Sequence, residues 1–178
     1  VNAPLHALMG LLQRSERVLD AVIRPIVFLG MAALIGVITL QIVSRVFFTA
    51  AGWTEEVARF LLIWITFLGA TLAFQRGRHI AVTFAVEALP KRIAQLARIA
   101  AVLVALGFLV ALIVIGYRYM QVQSFQRSAS LRLSMTYVYA VIPISAAIMT
   151  WYALVDVIEL IVEGPRGANT DNAEEPPV

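Results

Sequence analysis

Apolar positions gather into four long uncharged stretches, each fenced by charge. Residues 25–44 lie between Arg24 and Arg45, residues 60–75 between Arg59 and Arg76, residues 99–117 between Arg98 and Arg118, and residues 133–155 between Arg132 and Asp156. A helix crossing the hydrocarbon core takes about 20 apolar residues, within a range of about 17–25. Three stretches meet that length. The second is short, but Trp53 and Val57 extend it backward, with Glu55, Glu56 and Arg59 in the headgroup layer. The pattern predicts an all-α integral membrane protein whose four transmembrane helices fall near residues 25–48, 54–75, 91–119 and 133–158.

The flanking segments have their own periodicity. Leu5, Leu8, Met9, Leu12, Leu19, Val22 and Ile23 recur at helical spacing, and His6, Gln13, Arg17, Asp20 and Arg24 fall opposite. This predicts an amphipathic helix over about 4–24, lying on the membrane surface. The plainer alternative is the frayed start of the first span. The run HIAVTFAVEALPKR is apolar but broken by Glu87 and closed by Pro90, and it is too short to cross. An in-plane or re-entrant cytoplasmic segment between helices two and three is expected there. Pro90 suits the first position of the third helix, where a missing N–H costs nothing. From Pro90 to Tyr119 that helix would be about 45 Å long, more than the bilayer core, so it must tilt or protrude. After Gly164-Pro165 the chain turns polar and acidic. We expect one domain over 1–163 and a disordered tail over 164–178.

Composition narrows the classes. Of 178 residues, 61% are hydrophobic and only 14% charged. A soluble chain is about half apolar and a quarter charged, so lipid is the expected solvent. The net charge of +3 is spread in small groups, which argues against nucleic acid as a partner. There are no cysteines, so disulfides, thiolate metal sites and a cysteine nucleophile are excluded. Nine of the Lys and Arg residues fall on the side of the termini and the second connection, against five in the first and third connections. The bias predicts cytoplasmic termini. The first apolar run starts 24 residues in and is longer than a signal-peptide core of about 7–15 residues, so an uncleaved anchor is the expectation.

Reactive chemistry is sparse. The four uncharged stretches hold no ionisable residue of the kind that marks ion or proton pathways. Paired spans broken by Gly or Pro, the usual sign of a midplane substrate site, are missing, and Pro143 alone interrupts a span. A complete secondary transporter is therefore not expected. His6 and His79 both lie outside the spans, which disfavours haem. No phosphate loop or hydrolase elbow is present. Neither an enzyme nor a cofactor is expected. Ala32 with Gly36, and Gly69 with Ala73, are small pairs that let helices approach closely in lipid, though such residues are common in any span.

The most distinctive stretch is LQIVSRVFFTAAGWTEEVARFLLIWITFLGATLAFQRGRHIAV, residues 40–82. It reads as a hairpin. Thr54 is placed to cap the second helix, and Glu55 and Glu56 sit at its positive end. Glu56 and Arg59, three apart, can pair, and either glutamate could meet Arg45 across the hairpin. Trp53 suits the interfacial belt. The alternative is a capped, solvated helix start with no further role.

This block resembles the small transmembrane (DctQ-like) subunit of tripartite ATP-independent periplasmic (TRAP) transporters. The resemblance rests on Arg45, Trp53, Glu55, Glu56, Arg59, Trp64, Phe67, Leu68, Gly69, Ala70, Arg76, Arg78, His79 and Ile80. A weaker patch, SMTYVYAVIPIS, shares Met135, Tyr139 and Pro143, but has Ser134 where the family often has Pro and Ser145 where it often has Gly. The resemblance implies a bacterial inner-membrane uptake system in three parts. A periplasmic binding protein delivers an organic acid, a larger subunit carries the substrate and sodium sites and moves as an elevator, and the small subunit binds the larger one. On that basis this chain is expected to act as a static brace. Arg45, Trp53, Glu55, Glu56, Arg59, Trp64, Phe67, Gly69 and His79 would serve the subunit interface or hold the fold. Arg76, Arg78, Lys91, Arg92 and Arg98 would meet lipid headgroups. Gln123, Arg127 and Arg132 would touch the binding protein. The competing expectations are a generic four-helix anchor for another partner and a small channel.

Overall fold

The computed structural model describes residues 3–47, 52–87 and 91–163, with side chains described for 10–47, 52–77 and 99–158. It is helical throughout apart from one loop. The elements are α1 (Ala3–Phe47), α2 (Gly52–Glu87), α3 (Lys91–Val122), a 3₁₀ turn (Gln123–Phe125), α4 (Met135–Tyr139) and α5 (Val141–Glu163). Four segments are long and apolar enough to cross a membrane: Gly10–Phe47, Gly52–Gly77, Ile99–Phe125 and Met135–Ile158. The expected all-α, four-span architecture is thus present. Residues 164–178 and Pro90 lie outside the described residues.

Two boundaries differ from the sequence expectation. The anticipated surface helix over 4–24 and the first span form one unbroken helix of 45 residues, with Pro25 inside it. Pro25 removes only the single N–H that the Ala21 carbonyl would accept, and the apolar turns on either side carry the helix past it. Likewise α2 continues through residues 79–87 rather than ending before a separate in-plane segment. With no Gly or Pro between His79 and Glu87, nothing in the local sequence stops the helix.

The last span shows the opposite behaviour, because α4 and α5 are one crossing helix interrupted at Ala140. Pro143 has no N–H to give the Tyr139 carbonyl, and its ring crowds that carbonyl. The bonds on either side of the break persist, from Ala140 N to Thr136 O (2.9 Å) and from Ile144 N to Ala140 O (3.3 Å). Ser134 starts this span as its N-cap, accepting from the Thr136 N–H. The hydroxyl holds the helix entry.

Packing is uneven. α5 lies between α2 and α3, whereas α1 packs mainly on α2. One core joins Ile23, Leu68 and Val141, flanked by Leu19, Val27, Trp64 and Phe67. A second joins Leu109, Met149 and Ala153, flanked by Phe74 and Leu106. Glycine permits the closest approach between α3 and α5. A Cβ added at Gly116 would stand 2.9 Å from Ile142 Cγ2 and 3.4 Å from the Pro143 ring. On α1 the covered positions form a single stripe that includes Leu12, Glu16, Leu19, Ile23, Val27, Gly30 and Leu34, at steps of three and four residues. The stripe begins before the expected first span, whose own stretch 25–44 holds no ionisable residue. Glu16 is buried on it, and Asp20, beside it, bonds Arg24 at 2.5 Å. Once the surface helix and the span are a single helix, the turns that carry these acids pack against the bundle too.

Two hydroxyls inside the bundle bond their own helix. Thr71 Oγ1 donates to the Phe67 carbonyl at 2.9 Å and Thr150 Oγ1 to the Ala146 carbonyl at 2.7 Å. Such bonds satisfy a polar group without a solvent partner.

Candidate functional site

The polar constellation lies where α2 begins and where the α3–α4 connection returns to the bundle. The connection is a tight loop, closed by a bridge between Arg127 and Ser134. Ser128 N donates to Leu133 O (2.9 Å), Arg132 N to Ser128 O (3.2 Å) and Met135 N to Gln126 O (3.1 Å). Arg132 reverses the chain with φ at 53°, the left-handed region that most side chains avoid. This reversal turns the amides of residues 130 and 131 toward α2.

Glu56 fills the cradle so formed. Its Oε2 accepts the Ser128 hydroxyl and the Leu131 N–H (3.1 Å), and its Oε1 accepts the Ser130 N–H (2.9 Å). Ser128 Oγ in turn accepts from Leu131 N at 3.2 Å. A carboxylate taking several donors from one loop makes charge-assisted bonds, which are stronger than neutral ones. Glu56 therefore ties the start of the second span to the connection between the third and fourth.

Around this clasp the same end of the bundle is aromatic and polar. Tyr119 and Tyr139 meet edge to face, with ring centroids 4.9 Å apart. Gln123 Nε2 donates to the Tyr119 hydroxyl (3.0 Å), and Gln121 Nε2 to that of Tyr117 (2.8 Å). Trp53, Phe125, Leu133 and Tyr137 are exposed, Phe125 almost completely. Aromatic rings in that position match the belt of a membrane–water interface.

Each expected site residue can now be placed. Arg59 pairs with Glu55 at 3.0 Å, not with Glu56 as the three-residue spacing had indicated. The i,i+4 pair with the acid first is the favoured helical arrangement, and Glu56 is already engaged by the loop. The cross-hairpin pairing of Arg45 with a glutamate is likewise displaced, since Glu55 bonds Arg59 and Glu56 bonds the loop; Arg45 stands exposed in the last turn of α1. Helix α2 starts at Gly52, so Thr54 lies inside the first turn and is fully buried instead of capping. Trp64 and Phe67 pack on the Ile23–Leu68–Val141 core, and Gly69 faces open space. Arg76, Arg127 and Arg132 are exposed. Arg78, His79, Lys91, Arg92 and Arg98 lie outside the residues whose side chains are described.

Ser128, Ser130 and Leu131 escaped the sequence reading. The available signal was a serine-rich loop on the same membrane side as the paired glutamates. Among the described residues no three His, Cys, Asp or Glu side chains gather to hold a metal ion. The arrangement makes a fastening between helices.

Comparison with known proteins agrees in kind. The family model described as tripartite ATP-independent periplasmic transporters, DctQ component, matches residues 34–163. The sialic acid TRAP transporter small permease protein of Vibrio cholerae is 32% identical over 136 residues, covering 74% of this chain and 76% of that protein. A putative TRAP transporter small permease protein of Haemophilus influenzae is 54% identical over 37 residues, 21% of this chain and 23% of its own. The isethionate TRAP transporter permease protein DctMQ of Oleidesulfovibrio alaskensis is 31% identical over 146 residues, which are 75% of this chain but 22% of that much longer protein. With a match that takes in the Glu56 clasp and reaches from the first span to the end of α5, the chain belongs to the DctQ family of TRAP transporter membrane components.

Proposed function

We propose that this chain is the small permease subunit of a TRAP transporter and braces the large, sodium-coupled elevator subunit. The cargo in this reading is an organic acid with a carboxylate, delivered by a periplasmic binding protein. The setting is a bacterial inner membrane with both termini in the cytoplasm, in keeping with the bias of Lys and Arg. Binding to a large subunit is supported by the isethionate relative, in which the part similar to this chain is only 22% of one longer permease polypeptide.

The observation that carries the brace is the Glu56 cradle. A carboxylate that accepts three hydrogen bonds joins two hairpins of the same chain. An element that must stay still while a neighbour slides through the bilayer needs such fastenings between its own helices. The exposed ends of the first and third connections, near Trp53 to Arg59 and Gln123 to Arg132, provide the surface for the binding protein.

Reconstitution tests the proposal. The large subunit with this chain and the binding protein should take up substrate along a sodium gradient, and this chain alone should take up none. Sodium-driven flux through this chain alone, or full uptake without it, would refute the brace.

A further inference from the structure

An open groove of about 490 Å³ runs between the amino-terminal part of α1 and α5, lined by Leu11, Arg14, Ser15, Val18, Leu19 and Trp151. The volume falls within the range of small-molecule sites, about 300–1,000 Å³. Its walls are fixed from within. Trp151 Nε1 donates to Ser15 Oγ at 3.1 Å, and Ser15 Oγ donates to the Leu12 carbonyl at 2.6 Å. The indole is thereby held as one wall with its N–H already used. Leu11 and Val18 stand more than half exposed along the groove.

Arg14 is the one charged lining residue. Among the described acids toward this end of the bundle, Asp20 bonds Arg24 and Asp156 on α5 has an interaction of its own. Glu16 is buried with an interaction of its own. An apolar trough with a guanidinium that forms no ion pair among the described residues selects a particular chemistry. A soluble anion would leave the apolar walls bare, and a neutral lipid or an apolar helix would leave the charge unmatched. The occupant that satisfies both is an amphiphile with an anionic head.

We propose that this groove binds one anionic phospholipid, its phosphate on Arg14 and an acyl chain laid over Leu11, Val18, Leu19 and the Trp151 ring. Bidentate geometry suits guanidinium to phosphate. Held there, the lipid would cement the amino-terminal part of α1 to α5, adding to the Trp151–Ser15 hydrogen bond that crosses the groove.

The test uses the full chain in bilayer discs of equal phosphatidylglycerol and phosphatidylcholine, released and weighed by native mass spectrometry. Wild type should retain phosphatidylglycerol preferentially. Arg14→Gln should lower that retention about five-fold, the size of one basic residue's attraction at a membrane surface. Arg14→Lys should restore most of it, and Val18→Trp should displace the lipid with the charge intact. Arg76→Gln, an exposed cation toward the same end of the bundle that does not line the groove, should lower retention by less. Equal retention by Arg14→Gln, or equal loss from Arg76→Gln, would overturn the site in favour of diffuse attraction. A photoreactive residue at position 18 in the assembled transporter should capture lipid. Capture of the large subunit instead would overturn the proposal as well.

Discussion

α1 and α5 cross the same bilayer and could hardly be used more differently. The most apolar window of α1 has a mean hydropathy of 2.5, and none of it is buried within the chain. That of α5 averages only 1.8, yet a third of it is buried. The less apolar of the two windows is the inner one. Val141, Ser145, Tyr152 and Val155 on α5 are all fully buried. In water the apolar helix would be driven inward. In lipid, tails are as apolar as leucine, so hydropathy sets only whether a helix enters the bilayer, and packing with polar bonds sets which helices are central. α1 is left with one covered stripe and an apolar perimeter for lipid or for another subunit.

Substitution at matched glycines should break this contrast most visibly. Gly116→Val places a side chain against Ile142 and the Pro143 ring and should cost about 1–3 kcal/mol, read as a lowered unfolding midpoint of the chain in detergent. If the midpoint holds, α5 is not the packed centre. Second comes the clasp. Glu56→Ala leaves the Ser130 and Leu131 amides and the Ser128 hydroxyl without their acceptor. It should lower the midpoint by a few degrees and reduce co-purification with the large subunit, whereas Ser128→Ala, which removes one donor, should do less. Unchanged stability and assembly in Glu56→Ala would remove the clasp from the account. Arg59→Ala, at an exposed pair, should change stability by about 0.5 kcal/mol or less. A loss of transport in that variant without loss of stability would mark the arginine as a contact for another protein. Smallest of all, Gly36→Leu meets open space and should leave the isolated chain unaltered. If the same substitution detaches the large subunit, the bare face of α1 is the seam between them.

The sequence revealed what composition and period can encode. Four uncharged stretches were enough to count the crossing helices, because the cost of exposing backbone to lipid leaves a helix as the natural solution. Pro143 marked the interruption of the last span for an equally local reason, the missing donor. The partners of Glu56 were not legible. Ser128 lies 72 residues away, and which carboxylate of the pair Glu55–Glu56 turns inward depends on the rotation of α2, which neighbours decide. The burial of Glu16 was not legible either, because it depends on α1 running unbroken through Pro25. Once Arg24 was taken as the edge of the span, Glu16 and Asp20 were assigned to a different helix with a different solvent.

The cradle has a consequence for the order of synthesis. Glu56 emerges from the ribosome 72 residues before Ser128, and at about 5–20 residues per second that is a wait of roughly 4–15 s. During that interval the first hairpin sits in the bilayer with its carboxylate solvated at the surface. The loop donors at residues 128–131 follow the third span and precede the fourth, so the clasp can close only after α3 has been made. A chain truncated before Ser128 would keep three of its four greasy segments and lack the lock that registers them.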